Sequence, residues 1–323
     1  MTLTRRALLG SGTALATGCD AVVLDQEPVP ETIEPITSNE DFYVYSCCFG
    51  ADPDPATWAC PITDRGVPIG TLDAAWLAAH AATPFEHTLQ CIGSTPTNIA
   101  ISNAIFGGIR LVDVLAEFGV AVDPSIVQLY LVGVDDYDAG MPASDIEKAW
   151  LVWEMNGVPL PVAHGFPARL IIPGRYGVKN VKWLASIALL SEPIVDYWTE
   201  RGWDAEAQYQ CNGFIVAPVP GSTVPNHQAL AYFGIAYAGE DPVTSVEITF
   251  DDFATTERAT LDYAPGANRW VLWSFVWTPR REGVVTAQIR VTTASGAVSS
   301  ENPAGTNYLA GYDGGMAVEI TVA

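Results

Sequence analysis

The chain has 323 residues, of which 49% are hydrophobic and only 16% are charged, so it can bury sizeable cores in two domains and is not disordered. Its 37 Asp and Glu residues, against 15 Lys and Arg residues, give a formal net charge of -22. A negative potential of this size repels nucleic acids and anionic lipid head groups, which excludes a nucleic-acid partner and favours a cationic protein partner.

Residues 1–19 are typical of an export signal. Arg5 and Arg6 precede an apolar stretch of roughly ten residues, too short to cross a bilayer as a mature helix, and the arginine pair indicates the twin-arginine type. The following ATGC resembles a lipoprotein cleavage box, which predicts a lipid anchor on Cys19. An ordinary signal cut nearby is the alternative, because Ala16 stands where such boxes carry Leu. We therefore expect a periplasmic or cell-envelope protein.

The rest of the chain divides by its residue pattern. Residues 20–38 are rich in proline and acids and are predicted to form a tether. In residues 39–205, HTLQCI and QLYLVGV predict strands, whereas the apolar spacing in TLDAAWLAAHAA and RLVDVLAEFG predicts helices, the second ending at Gly119. In residues 206–323, alternating segments such as TSVEITFDD, RWVLWSFVW and AVEITVA predict an all-β immunoglobulin-like sandwich. The predicted fold class is α+β.

The cysteine count indicates one unusual thiol. If Cys19 carries lipid, five cysteines remain, and in an oxidising compartment the surplus thiol is a candidate ligand or reactive group. The other four are expected to include at least one disulfide, although Cys47 and Cys48 could instead form a redox or metal site with Cys60. The five cysteines after Cys19 are Cys47, Cys48, Cys60, Cys91 and Cys211.

The stretch from Glu154 to Ile187 concentrates positive charge in an acidic protein. Glycines in its loop, Gly174 and Gly177, let backbone amides approach a ligand closely. The combination suits a phosphate-bearing cofactor, and the alternative is a polar loop whose cations pair with surface acids. The cationic side chains are those of His164, Arg169, Lys179 and Lys182.

Three segments together resemble one known family. The segment NGVPLPVAHGFPARLIIPGRYGVKNVKWL resembles the heart of the sulfite oxidase family of molybdopterin-dependent oxidoreductases, and TLQCIGS stands where that family carries its molybdenum-binding cysteine. LVGVDDYDAGMPASDIEKAWLVWEMNG resembles the stretch between them. From about Asn39 to the end, the resemblance implies a sulfite-oxidase-type mixed α/β cofactor domain, an immunoglobulin-like dimerisation domain and hence a homodimer, with a molybdenum-molybdopterin cofactor.

The resemblance also implies roles for individual residues. Cys91 would supply the thiolate to molybdenum, and Asp135 would be a catalytic acid near the pterin. His164 and Arg169 match pterin and phosphate contacts. The loop around the cofactor's phosphate would contain Gly177, Lys179, Asn180 and Lys182.

The chain departs from the family at the substrate side. Tyr45 and Cys47 occupy positions in a family Arg-Asn-His motif, where we keep them as candidate cofactor contacts. Ser94 and Thr95 replace two arginines that hold sulfite, and Trp203 replaces a tyrosine. Without those groups the desolvation of a sulfite dianion would have little to offset it. Cations that could substitute, by their position in sequence, are Arg110 and Arg175.

These features predict an exported molybdenum-dependent oxidoreductase that transfers an oxygen atom to or from a small substrate. We expect a sulfoxide or another sulfur compound in preference to sulfite. Since no C-x-x-C-H haem motif occurs, electrons would pass to an external carrier, and the acidic surface favours a basic one such as a cytochrome c. The alternatives are a sulfite dehydrogenase proper, or a non-catalytic envelope scaffold with a degenerate cofactor fold.

Overall fold

The computed structural model of the chain describes residues 32–46, 50–301 and 308–323. The predicted export signal with Cys19, most of the predicted tether, and the predicted cofactor contact Cys47 lie outside these residues. In the described residues, no helix is both long enough and apolar enough to span a membrane.

Two sheets form the first half of the fold. The first sheet has the strand order β2-β1-β10-β5-β6, and the second has the order β3-β4-β7-β8, with β9 paired to β7. Each sheet covers an apolar cluster of its own. The strands are β1 Ala59–Asp64, β2 Val67–Asp73, β3 Thr83–Gln90, β4 Ile101–Arg110, β5 Gln128–Gly133, β6 Asp138–Pro142, β7 Trp150–Met155, β8 Val158–Pro159, β9 Arg169–Ile171 and β10 Leu184–Leu190.

The predicted helices are present but short. Helix α1, Ala74–Ala79, begins at Asp73, whose carboxylate accepts a 2.7 Å hydrogen bond from the backbone N–H of Trp76. Helix α2, Leu111–Glu117, ends before Gly119, whose φ of 78° suits a helix C-terminus. This half is therefore dominated by strands, with helices at its edges. A third helix, α3, is Tyr197–Glu200, and 3-10 turns lie at Ala143–Glu147, Val162–His164 and Gly177–Lys179.

Two facing sheets form the second half of the fold, as predicted. Their strand orders are β16-β17-β13-β11-β19 and β12-β20-β18-β14-β15, and one apolar cluster lies between them. Strand β20 alternates exposed and buried residues, as its sequence predicts. The strands are β11 Asn212–Ala217, β12 Thr223–Val224, β13 Leu230–Tyr237, β14 Val243–Thr249, β15 Glu257–Arg258, β16 Thr260–Tyr263, β17 Val271–Trp277, β18 Gly283–Thr293, β19 Gly314–Gly315 and β20 Ala317–Val322; a 3-10 turn lies at Tyr308–Ala310.

The last residues of the predicted tether pack against both halves. The backbone carbonyl of Pro35 accepts hydrogen bonds from Nε1 of Trp270 at 3.0 Å and from Nδ2 of Asn103 at 2.8 Å. The backbone N–H of Thr37 donates to the carbonyl of Asn103 at 2.7 Å. Residues 32–38 thus belong to the folded part, because even a segment without regular structure must satisfy its buried backbone groups.

Strand β3 connects the two halves. The buried hydroxyl of Thr88 donates to Oδ1 of Asn103 at 2.8 Å and accepts from the backbone N–H of Trp270 at 2.8 Å. The carbonyl of Thr88 accepts from the hydroxyl of Tyr237 at 3.1 Å, and its N–H donates to the carbonyl of Asn268 at 2.9 Å. The hydroxyl of Tyr209 donates to the same carbonyl at 3.5 Å, so one residue of the first half bonds to four residues of the second.

We expect Thr88→Val to destabilise the protein by about 1–3 kcal/mol, because valine has nearly the same shape but leaves the N–H of Trp270 buried without an acceptor. Urea unfolding followed by tryptophan fluorescence measures this change. Thr286→Val, on an exposed position of β18, is the matched control and should change stability by less than about 0.5 kcal/mol. Equal effects of the two substitutions would contradict a bonding role for Thr88.

Candidate functional site

Cys91 follows the end of β3 and begins a tight turn. Its backbone N–H donates to the carbonyl of Ala100 at 2.9 Å, and its carbonyl accepts from the N–H of Ser94 at 3.0 Å. A Cβ placed on Gly93 would lie 3.9 Å from Sγ of Cys91 and 3.8 Å from Cη2 of Trp203. The half-buried thiol and the indole therefore lie on the same side of this turn.

The wall beside Cys91 consists of neutral polar groups. The buried hydroxyl of Ser94 accepts a 3.0 Å hydrogen bond from the N–H of Ala100, so it braces the turn. The hydroxyls of Thr95 and Thr97 lie 3.2 Å apart. Tyr45 and Asn98 form a phenol–amide pair, with 3.1 Å from the phenol to Oδ1 and 3.0 Å from Nδ2 to the phenol. None of these contacts involves a cationic side chain.

Tyrosines surround the thiol. Burial raises the pKa of Tyr43 well above its ordinary value of 10, and Cys91 adds to the shift. Burial likewise raises the pKa values of Tyr45, Tyr176 and Tyr209, again with a contribution from Cys91. The rings of Tyr176 and Tyr209 meet edge to face with their centroids 4.6 Å apart. All four phenols are therefore neutral hydrogen-bonding groups at physiological pH.

Two cations, Arg169 and Lys182, and the neutral imidazole of His164 form a cation cluster near these tyrosines. Arg169 donates to the backbone carbonyls of His164 and Asn180, at 2.9 Å in each case, and no described carboxylate lies within ion-pair distance of it. Burial lowers the pKa of Arg169 to about 10, so it stays charged at neutral pH. Burial, with Arg169 and Lys182 as further causes, lowers the pKa of His164 to about 4. Arg169 also interacts electrostatically with Tyr43, which connects this cluster to Cys91.

Asp135 lies in the turn after β5, close to Lys182. Its Oδ1 accepts a 3.4 Å hydrogen bond from the N–H of Tyr137, and burial raises its pKa although this bond and Lys182 oppose the shift. The ammonium of Lys182 contacts the carbonyl of Ala163 at 3.0 Å and Oγ of Ser46 at 3.4 Å. Asp135 and Lys182 therefore lie together beside the cation cluster.

The predicted contacts Lys179 and Asn180 are engaged inside the protein. Lys179 is 2% exposed, forms an ion pair with the equally buried carboxylate of Asp196, and donates to the carbonyl of Gly140 at 3.0 Å. Asn180 accepts from the N–H of Ile172 at 2.6 Å and donates to two carbonyls of its own loop. These side chains hold the loop in place, since their polar atoms already have protein partners.

Gly177 has a different role, because it makes room for a neighbour. A Cβ at this position would lie 2.8 Å from the hydroxyl of Tyr43, so a larger residue would displace that phenol.

Arg175, at the start of the same loop, is held by Asp145 through bonds of 2.7 and 3.1 Å and by the carbonyl of Glu206 at 2.8 Å.

The sequence patterns did not indicate that Tyr43 and His87 belong to the candidate site. Tyr43 lies within electrostatic range of both Cys91 and Arg169. His87 is 1% exposed on β3, and burial together with Arg169 lowers its pKa to about 3. The available signal was position, because His87 stands four residues before Cys91 and alternates with the apolar residues Phe85 and Leu89.

The other cysteines lie elsewhere. Cys60 is a buried free thiol in β1, and Cys211 is a half-buried free thiol before β11. The other two disulfide candidates, Cys47 and Cys48, lie outside the described residues, so the disulfide stays a prediction. The described residues also contain no group of three or more His, Cys, Asp or Glu side chains placed to share a metal ion. A metal at Cys91 would therefore need additional ligands from a bound cofactor.

Comparisons with known proteins agree with one family. Residues 50–198 match the oxidoreductase molybdopterin binding domain. Mitochondrial sulfite oxidase of Rattus norvegicus is 28% identical over 298 residues, covering 76% of this chain and 54% of the relative. Inducible nitrate reductase [NADH] 2 of Glycine max is 27% identical over 237 residues, covering 57% of this chain and 26% of the relative. The chain thus spans about half the length, or less, of these curated relatives.

A solved structure has the same overall fold. The sulfane dehydrogenase SoxCD from Paracoccus pantotrophus aligns with a TM-score of 0.77 over 96% of this chain and 92% of that chain, at 17% sequence identity. The alignment extends across both halves of the molecule, which agrees with a cofactor-type domain followed by a β-sandwich.

The Lys179–Asp196 pair leads to a stability prediction. We expect Asp196→Ala to destabilise the protein by about 3–5 kcal/mol, because it leaves a buried ammonium without its counter-ion. Lys179→Met combined with Asp196→Leu should recover most of this loss, since no charge is then buried. Chemical unfolding at pH 7 measures both variants. A loss in the double variant as large as that in Asp196→Ala would contradict the argument.

The same pair predicts a dependence on acid. Burial favours the neutral form of Asp196, but hydrogen bonds from Lys179, Thr199 and Gly140 outweigh it, so the net pKa is lowered from 3.8. The stabilisation is therefore complete above the unfolded-state pKa and is lost as pH falls through the lower folded-state pKa. The protein should therefore lose stability relative to the double variant below about pH 4, as measured by unfolding at stepped pH.

Proposed function

Because the chain belongs to the sulfite oxidase family of molybdopterin-binding oxidoreductases, we propose that it is a molybdenum enzyme that transfers an oxygen atom to or from a small sulfur compound. One observation carries the proposal. A half-buried cysteine and the buried guanidinium of Arg169 both lie within electrostatic range of Tyr43, and Arg169 has no carboxylate partner among the described residues.

The residues fit an anionic cofactor. The Nε atom of Arg169 is buried and has no hydrogen-bond partner. A buried cation without a counter-ion is costly, so this site is stabilised when an anion binds to it. Cys91 supplies a soft thiolate, the ligand type that suits molybdenum held by sulfur ligands. A molybdopterin combines the two requirements, since it brings sulfur ligands for the metal and a phosphate for the cations.

Each residue has a defined part in the proposed site. Cys91 would bind the metal, whereas Arg169, His164 and Lys182 would hold the anionic and polar parts of the pterin. Asp135, beside Lys182, would accept hydrogen bonds from pterin N–H groups. The chemistry that a bound molybdenum cofactor supplies is two-electron oxygen-atom transfer, and the protein provides orientation and electrostatics.

The neutral wall beside Cys91 supports a neutral substrate. Ser94 is used in bracing the turn, and Tyr45 with Asn98 offers uncharged hydrogen-bonding groups. Arg175 is bound to Asp145 and Glu206, so it has no free charge for a substrate. Arg110 is the last residue of β4, whereas Ile101, the first, pairs with Gln90 next to Cys91. Nine residue steps along the strand put Arg110 roughly 30 Å from Ile101.

The reaction needs an external partner for electrons. In the oxidising direction a sulfur lone pair gains the oxygen of one water molecule, and two protons and two electrons are released. The described chain supplies no further redox centre for these electrons, so we propose a basic haem protein of the cytochrome c type as the carrier, docking on the acidic surface. We further propose that the predicted export signal directs the protein to the periplasm or cell envelope, that Cys19 carries a lipid anchor, and that the chain forms a homodimer.

Cys91→Ser tests the metal site. We expect the variant to fold normally, to lose at least about a thousandfold in turnover, and to show an altered molybdenum electron paramagnetic resonance spectrum, because an alkoxide is a harder ligand than a thiolate. Cys211→Ser, which changes a half-buried thiol in the other half, should leave the spectrum unchanged. A Cys91→Ser spectrum identical to that of the wild type would remove Cys91 from the metal.

Steady-state assays test the substrate. With artificial electron donors and acceptors, we expect sulfoxides or organic sulfur compounds to give a higher kcat/KM than sulfite. Each missing charge-assisted hydrogen bond costs about 1.5–3 kcal/mol, so sulfite should be weaker by roughly ten- to hundredfold per lost arginine. Sulfite emerging as the best substrate would overturn this part of the proposal.

Introducing a positive charge beside Cys91 is a second test of the proposed preference for neutral substrates. Thr95→Arg should lower the KM for sulfite by about tenfold or more, because it puts a guanidinium into the turn beside Cys91. Thr97→Arg adds the same charge at an exposed position two residues away and is the matched control. Equal effects on KM would mean that only the net charge of the surface matters.

A further inference from the structure

His87 lies in an apolar part of β3. Side chains two residues apart on a strand share a face, so His87 lies between Phe85 and Leu89. Both neighbours belong to the apolar cluster that this sheet covers, as does Ala104, which pairs with His87 across β3 and β4. The rings of Phe85 and His87 are 6.4 Å apart. An imidazole is thus buried where the surrounding side chains are apolar.

Two polar atoms in this region have no protein partner. Nε2 of His87 is buried and unbonded, and so is Nε of Arg169. The residues are 1% and 5% exposed. Arg169 shares a face of β9 with Ile171, which belongs to the same apolar cluster as Leu89, so both side chains lie on the same side of this sheet. The charge of Arg169 also acts on the imidazole. The great majority of buried polar groups in proteins are hydrogen-bonded, so two exceptions on the same side of one sheet indicate a missing partner that both can reach.

The chemistry of the two groups restricts that partner. The Nε–H of Arg169 can only donate, so the partner must carry an acceptor. The guanidinium is a buried cation without a carboxylate, so the partner should be anionic. A neutral imidazole can donate from Nε2 to the same acceptor. The anionic group of a molybdopterin is its phosphate.

We propose that His87 is a cofactor-binding residue, and that its Nε2–H and the Nε–H of Arg169 donate hydrogen bonds to the phosphate of the bound molybdopterin. This inference rests on the proposed function, since it names a further residue of the same site. A solely structural role does not account for His87, because leucine would fill the position between Phe85 and Leu89 without burying an unbonded nitrogen.

A purely structural role and a phosphate-binding role of His87 predict different stabilities for the variant His87→Leu. If His87 only fills the core, His87→Leu should stabilise the cofactor-free and cofactor-bound proteins equally. If it binds phosphate, the variant should keep or gain stability without cofactor but lose about ten- to hundredfold in cofactor affinity, as expected for a hydrogen bond to a charged group. The rise in Tm on cofactor binding then becomes smaller, because ligand stabilisation follows affinity.

The experiment uses the full chain from two hosts, one that makes the cofactor and one that does not. Thermal unfolding, molybdenum content and pterin fluorescence are measured for the wild type, His87→Leu and His87→Gln. The Gln side chain can place an N–H near the position of Nε2 and should restore most of the Tm difference. Phe85→Leu, an apolar change two residues away on the same face, is the control. If His87→Leu does not fold, His87→Met replaces it.

The outcomes separate the two proposals. A wild type without molybdenum or pterin from the cofactor-making host would refute the proposed function itself. A cofactor-bound wild type with an unchanged Tm difference in His87→Leu would overturn the role of His87 alone. Inorganic phosphate should raise the Tm of the cofactor-free wild type more than that of His87→Leu. Equal rises, together with a reduced cofactor response, would assign the contact to the pterin ring and overturn the phosphate contact.

Discussion

Strand β3 is fixed on both of its faces, and the position of Cys91 depends on this constraint. On one face, Leu89 belongs to the apolar cluster of the second sheet. On the other, Thr88 bonds to the sandwich half, and the amide of Gln90 pairs with that of Asn212 at 3.2 Å. A strand held in this way has little freedom to shift its register, because a slip of one residue would exchange its two faces. The thiol that follows β3 is therefore presented at a defined point.

Whether a buried cation indicates a ligand site depends on whether the protein itself supplies its counter-ion. This acidic protein has few basic residues, yet three of them are almost fully buried. Arg175 is paired with Asp145 and Lys179 with Asp196, so both charges are compensated within the fold. Arg169 has only backbone carbonyls as partners among the described residues. Burial without a counter-ion is stable only where an anion is supplied from outside, so the uncompensated cation is the one that indicates a ligand.

The two sides of the site have opposite electrostatic character. Cations gather where the cofactor would be held, whereas the turn after Cys91 carries hydroxyl, amide and indole groups. The cationic side chains would therefore bind the cofactor, and the groups of the turn beside the proposed substrate position are neutral. An anion leaving water needs paired charges, and this is the reason for proposing neutral sulfur compounds as substrates. The acidic composition is likewise the reason for proposing a basic electron carrier.

The sequence by itself determined the fold class, the family and the strands of the sandwich, because alternation of apolar residues and the local motifs around Cys91 and His164 are properties of short segments. It also identified which residue types the substrate side lacks. Only the tertiary structure decided which cations are already paired: Lys179 was a predicted phosphate contact, but its partner Asp196 lies 17 residues further along the chain. It also decided that Arg110 is far from the thiol, and that His87 and Arg169 share a region of unbonded polar atoms. Such facts depend on contacts between distant segments, which no local pattern records, since pairing and burial are set by how the sheets pack.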